Sequence, residues 1–251
     1  MPTPSADSLA ALARSSPWRW STLRFTVRWP ADPYRQESLR ARLRRPDVLR
    51  VDTVDGEFRQ VVREPRATAA VLSFPPTADT HRTYPWPAEA APPVLRPDGL
   101  VAVRPVGVSY DAPMYRDYSW VAMLDPVELA DGAAPALDAP LRTGEVREVD
   151  HAGRAAWEAV VEPLAPYEPR CGCCPLLRSR QVDLLEYGPE GAQLRESYPD
   201  AFRVRLDVGT GVCVLTEEIG GPTPGRGHDL RIEAVDEPMD DGLFRDGAVC
   251  H

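Results

Sequence analysis

The stretch that most restricts how this chain can fold is residues 198–219, YPDAFRVRLDVGTGVCVLTEEI. Phe202, Val204, Leu206 and Val208 alternate with Arg203, Arg205 and Asp207, the period of a strand with one buried and one wet face. Asp207 to Gly211 then place two glycines where a tight turn needs positive φ, and Val212 to Leu215 return as an antiparallel partner. A lone hairpin is marginal in water, so further strands must cover its apolar face.

Those strands are readable on both sides. Leu23, Phe25, Val27 and Trp29 alternate with Arg24, Thr26 and Arg28, and Leu39, Ala41 and Leu43 alternate with Arg40, Arg42 and Arg44. Strands follow at Leu49 to Val51, Phe58 to Arg63 and Thr68 to Phe74. Parallel pairing needs crossovers of a dozen or more residues, so these short connections predict an antiparallel meander. Val146 to Val149 and Ala155 to Val161 form a second hairpin around His151-Ala-Gly153, and Leu230 to Val235 is the last strand. Ser5 to Arg14 reads as a short helix. Tyr115 to Asp131 reads as a helical segment that Pro126 divides and Gly132 ends. The expected class is α+β, a single curved antiparallel sheet (a half-barrel) with Asp117 to Asp131 packed on its concave face. Residues 1–17 form a helix or a disordered arm, and 18–251 one domain with a proline-rich insertion at 75–113, too long and aperiodic to be an ordinary loop.

Composition narrows the function. The 28 prolines exceed the usual share of about 5%. Lysine and asparagine are absent and every basic residue is arginine, which points to a high-GC, actinobacterial genome. The net charge of −9 argues against nucleic-acid binding, yet residues 1–66 hold 13 arginines against 8 acids. Alternation with apolar residues makes that excess the solvated face of a sheet, with a patch for an acidic partner or phosphate as the other reading. Residues 1–20 lack the basic start and apolar core of a signal peptide, and no run approaches the 18 apolar residues of a membrane span. The expected compartment is the cytoplasm, where the five cysteines stay reduced unless a metal holds some of them.

No enzyme motif is present: neither G-x-G-x-x-G, nor a P-loop, H-E-x-x-H or G-x-S-x-G occurs. His81, His151, His228 and His251 fall in predicted loops or at the terminus and are expected to be solvated. Cys171, Cys173 and Cys174 stand apart, because three thiols within four residues are ligands for a soft or borderline metal. Zinc there would need a fourth ligand from Cys213, Cys250, His251 or another histidine. Free thiols, or a disulfide or redox pair, are the competing readings, and no cofactor is otherwise implied.

The runs LRARLRRPDVLRVD at Leu39 to Asp52, MLDPVELAD at Met123 to Asp131, GRAAWEAVVEP at Gly153 to Pro163 and YPDAFRVRLDVGTGVCV at Tyr198 to Val214 follow one another in an order that resembles the half-barrel of LolA-type carriers, LppX-like lipoproteins and RseB-type sensors. The MLDPVELAD run and the CGCCPL loop also resemble those of actinobacterial proteins of this shape. The resemblance implies helices laid across the concave face and a cavity for acyl chains or a lipoprotein partner. The expected function is therefore non-enzymatic binding or regulation, with an apolar small molecule, a lipid or a protein segment as ligand. The candidate ligand-binding residues are Trp86, Tyr118, Trp120, Met123, Phe202, Val204 and Leu206. An interaction module using the arginine-rich first strands and an enzyme assembled from distant loops are the alternatives.

Overall fold

The two halves of the chain meet in the middle of one sheet, so neither half holds a complete hydrophobic face alone. The computed structural model describes residues 3–70, 81–131 and 139–245. Its strands are β1 (Thr22–Arg28), β2 (Leu39–Arg44), β3 (Val48–Thr53), β4 (Phe58–Arg63), β5 (Thr68–Ala70), β6 (His81–Thr83), β7 (Val94–Leu95), β8 (Val101–Val103), β9 (Leu141–Thr143), β10 (Arg147–His151), β11 (Arg154–Pro163), β12 (Ala201–Asp207), β13 (Cys213–Ile219) and β14 (Gly227–Val235). Ten of them make an open antiparallel sheet in the order β10-β11-β12-β13-β14-β1-β2-β3-β4, with β9 beside the far end of β11. At the central seam Phe25 lies opposite Ile232 and Val27 opposite Leu230. The sheet is curved: His151 Nε2 on β10 lies 3.0 Å from the Leu230 carbonyl on β14. Four flat strand spacings would separate those strands by about 19 Å.

Two expectations need correction. The strand starting at Thr68 does not extend the meander; β5 pairs with β6 in a separate two-stranded unit. Pro65, which has no N–H to donate, lies between it and β4. The predicted end of that strand at Phe74, the start of the insertion at Pro75, and Gly132, Cys250 and His251 lie outside the described residues. His151 is not solvated. It is buried on β10, with Nδ1 3.2 Å from Arg205, because the curvature folds the end of that strand against β14.

The helices are α1 (Ala6–Ser15), α2 (Ser119–Leu124) and α3 (Arg180–Tyr187). Pro126 does divide the middle segment, and a 3-10 turn at Val127–Leu129 follows it. Ser5 caps α1 by accepting from the Ser8 amide at 3.1 Å, and Leu9 and Leu12 enter the same core as Phe25, Leu43, Trp157, Val204 and Leu206. On the opposite face the alternating arginines meet carboxylates: Arg24 with Glu233 at 3.1 Å, Arg28 with Asp229 at 2.5 Å, Arg203 with Glu217 at 2.6 Å and Arg205 with Glu158 at 2.7 Å. The arginines of β1 and Arg40 thus meet acids of β14, and Arg42 and Arg50 meet Asp52 of β3. Below β3 that face is also covered, by Met239 and Phe244 against Val48.

The hairpin from which the fold can be read has one glycine at positive φ, Gly211 at +73°. Asp207 Oδ1 closes the turn by accepting from the Thr210 amide at 2.7 Å. A Cβ at Gly211 would stand 2.7 Å from the Leu12 carbonyl, so glycine here permits both the turn and the approach of α1. Gly211→Ala should therefore destabilise the protein by about 2 to 4 kcal/mol, combining left-handed backbone strain with overpacking. Urea denaturation measures this, and an unchanged midpoint would refute the docking of α1 on the turn.

Candidate functional site

On the helix-bearing face, the apolar pattern of the central strands gives out at one end. Register places Val204 opposite Thr216 and Phe202 opposite Glu218, while Thr216 lies opposite His228. Inward positions that are Val or Leu further along the strands are here threonine, glutamate and histidine. Together with Phe202 they floor a cleft of about 340 Å³. Its walls come from Trp29 and the Asp32–Arg35 loop, from Ser119 at the start of α2, from Cys173 to Leu176, and from Arg178, Arg195 and Arg226. His228 is buried, contrary to its predicted solvation. Its Nε2 meets the Cys213 carbonyl at 2.8 Å and its Nδ1 the Thr216 hydroxyl at 2.9 Å. Burial lowers its pKa to about 4, so at neutral pH it is uncharged, donating from Nε2 and accepting at Nδ1.

The cysteine loop is held from beneath by the middle segment. Glu128, fully buried, accepts from the Leu176 amide at 2.9 Å and the Arg170 amide at 3.2 Å, so one carboxylate grips the loop on both sides of the cysteines. Tyr167 is also buried, and its hydroxyl accepts from the Leu177 amide at 3.1 Å. Asp125, three residues before Glu128, pairs with Arg104 and Arg170. Burial would raise the Asp125 pKa, but the two guanidiniums outweigh it and hold the carboxyl below its usual range. Glu128 differs: burial dominates, and its pKa is pushed up to about 7 despite the two amide donors. The three sulfurs of Cys171, Cys173 and Cys174 lie within 4.8 Å of one another. Burial works against the Cys171 thiolate, yet hydrogen bonds from the other two thiols and from the loop amides lower its pKa, while its hydrogen bond to Cys173 raises that of Cys173.

Four arginines, each with a carboxylate partner, border the cleft. Arg35 pairs with Asp117 and stacks 5.2 Å from the Trp29 ring centroid, and Arg178 pairs with Asp183 at 2.5 Å. Arg195 meets Glu218 at 3.5 Å and Arg226 meets Asp32 at 3.3 Å, each through one nitrogen. Among the described residues no other side-chain hydrogen bond engages those last two guanidiniums, which have five N–H donors each. None of the four arginines was singled out from sequence. The available signal was the polar inward register of Thr216, Glu218 and His228, which marks where the core face opens to solvent.

The expected ligand-binding residues are divided by the structure. Trp120, Met123, Val204 and Leu206 are buried in the common core, where Trp120 packs against Phe25, Trp29 and Tyr115 with ring centroids 5.2 to 6.0 Å apart. The apolar wall anticipated for a cavity is there filled by the protein's own side chains. Phe202 borders the arginine cleft, and Tyr118, half-buried, stands beside α2. Trp86 belongs to a second cleft of about 420 Å³, lined by Trp18, Trp20 and Tyr110 with Pro17, Pro46 and Pro87. Arg45, half-buried at the edge of this cleft, lies 3.4 Å from the Trp20 ring centroid, and desolvation lowers its pKa to about 9.

Glu128 gives the loop a defined pH dependence. Its folded pKa of about 7 lies above its ordinary 4.5, so the folded state holds the proton more tightly than the unfolded chain. Its contribution to stability is present at low pH and is lost as pH rises between those values, by about 3 kcal/mol in all. Glu128→Gln should gain that amount relative to the unmodified protein between pH 5 and pH 8. Urea denaturation at both pH values is the check, and a pH-independent difference would refute the assignment.

No protein-family model and no curated protein matches the chain. Among solved structures it is similar to the crystal structure of MucB, with 16% identity and a TM-score of 0.40 over 97% of this chain; the chain spans 63% of the length of that one. No helix among the described residues is long and apolar enough to cross a membrane.

Proposed function

We propose that this chain is a binding protein, not an enzyme, and that it takes a small anionic ligand bearing a phosphate or carboxylate group in the cleft at the open end of the sheet. The observation that supports this is the pair Arg195 and Arg226, which line the cleft with one long carboxylate contact each and no other side-chain partner among the described residues. Forked guanidinium donors match phosphate and carboxylate oxygens. The neutral His228 and the hydroxyl of Thr216 on the floor are already bonded to one another, so His228 Nδ1 is engaged within the protein. Calorimetric titration with inorganic pyrophosphate and with citrate tests the reading. Saturable binding of one of them should weaken about tenfold or more in Arg195→Gln and in Arg226→Gln, the loss of a charged hydrogen bond. Heats of dilution alone for both probes would overturn it.

The aromatic cleft favours a second reading, an apolar ligand or an apolar segment of a partner held against Trp86. Burying 200 to 300 Å² of apolar surface contributes about 5 to 7 kcal/mol before association costs. A fluorescent fatty acid should then bind saturably to the native protein and about tenfold more weakly to Trp86→Ala of unchanged circular dichroism, consistent with the loss of aromatic contact area. Binding that the substitution leaves intact would place the ligand elsewhere.

A further inference from the structure

We infer that Cys171, Cys173 and Cys174 form a binding site for a single zinc-like divalent cation, completed by Glu186 from α3. The inference rests on the sulfur geometry alone, although Cys173 and Cys174 also line the arginine cleft. The loop is built to present its sulfurs together: Glu128 holds the amides of Arg170 and Leu176 on either side, and Arg178 donates to the Cys173 carbonyl. The Cys173 and Cys174 sulfurs are 3.7 Å apart, close to the edge of about 3.8 Å expected for a tetrahedron with zinc–sulfur bonds of about 2.3 Å. Cys171 and Cys173 are 2.7 Å apart, nearer than that edge and longer than a disulfide bond of about 2.05 Å. Small side-chain rotations in this partly exposed loop bring all three to metal-binding separation.

The fourth ligand is marked by the glycine inside the motif. A Cβ at Gly172 would stand 2.3 Å from Glu186 Oε2, so the carboxylate occupies the space that any other residue at 172 would fill. Among the described residues no hydrogen bond or ion pair engages Glu186, whose exposed carboxylate lies outside the sulfur group and would rotate to join it. Two of the sequence-distant candidates, His228 and Cys213, are engaged otherwise. Both ring nitrogens of His228 are hydrogen-bonded, and the buried Cys213 thiol donates to the Leu215 carbonyl at 3.4 Å, outside the sulfur group. Three thiolates and a carboxylate over-neutralise a divalent ion, and the Arg178 guanidinium beside the loop is shared between the Cys173 carbonyl and Asp183. Thiolate sulfur selects zinc over magnesium or calcium, and binding releases the thiol protons to solvent, so affinity rises with pH.

The test uses the full chain, reduced and handled without air. Zinc is titrated in competition with a chromophoric chelator, and cobalt(II) serves as a spectroscopic stand-in. One equivalent should bind, with sulfur-to-cobalt charge-transfer absorption and the strong visible bands of a tetrahedral site. Cys171→Ser, Cys173→Ser and Cys174→Ser should each weaken zinc binding at least about a hundredfold, and Glu186→Ala about tenfold or more with the charge-transfer bands retained. Cys213→Ala, folded as judged by circular dichroism, should bind as the native protein does. Less than a tenth of an equivalent bound by reduced, folded protein would overturn the proposal, as would cobalt spectra unchanged by the three serine variants. So would a Cys171–Cys173 disulfide that survives the reductant. Glu186→Ala binding with native affinity would overturn the carboxylate ligand.

Discussion

Two carboxylates on the middle segment, Asp125 and Glu128, are buried to about 1% exposure, and the parts of the molecule that surround the cleft are tied through them. Asp125 holds Arg104, which also donates to the Arg14 carbonyl at the end of α1 at 2.8 Å, and it holds Arg170 at the entrance to the cysteine loop. Glu128 then takes the amides of that loop. An isolated buried carboxylate costs several kcal/mol, and removing one partner of a buried pair costs about 3 to 5 kcal/mol. The position of the loop is thus coupled to the docking of α1 and of the 3-10 turn.

The same segment explains why one protein can hold a packed core and an open cleft on one face of one sheet. Trp120 and Met123 of α2 fill the space above Phe25, Val204 and Leu206. Beyond Ser119 the helix ends, and the covering elements become the Asp32–Arg35 loop and the cysteine loop. Those loops carry charges and thiols, and the strands beneath them change in step from Val and Leu to Thr216, Glu218 and His228. A polar floor under polar walls avoids the cost of unpaired buried donors and acceptors and leaves guanidinium groups facing solvent-filled space.

On the other face, the arginines that dominate the first strands act as a lattice with acids from the last ones. Each exposed pair contributes little by itself. Their register, Arg28 beside Asp229 and Arg24 beside Glu233, nevertheless favours the pairing of β1 with β14 over a slip by one residue, which would set Arg28 opposite His228 or Leu230 and turn Phe25 and Val27 outward.

The strands, their antiparallel pairing and the break at Pro126 were legible in the sequence because they follow from local period and from residues with one allowed backbone habit. β2 and β4 have the bounds their alternation indicates, and the three clustered thiols follow from nearness in the chain. The separate pairing of β5, the burial of His151 and His228, the contact of Glu186 with Gly172, and the meeting of Arg35, Arg178, Arg195 and Arg226 had no such local signal. They depend on which distant strands become neighbours and how far the sheet curves. Those are properties of summed packing over the whole face, where β1 meets β14 across some 200 residues, so only the tertiary structure decides them.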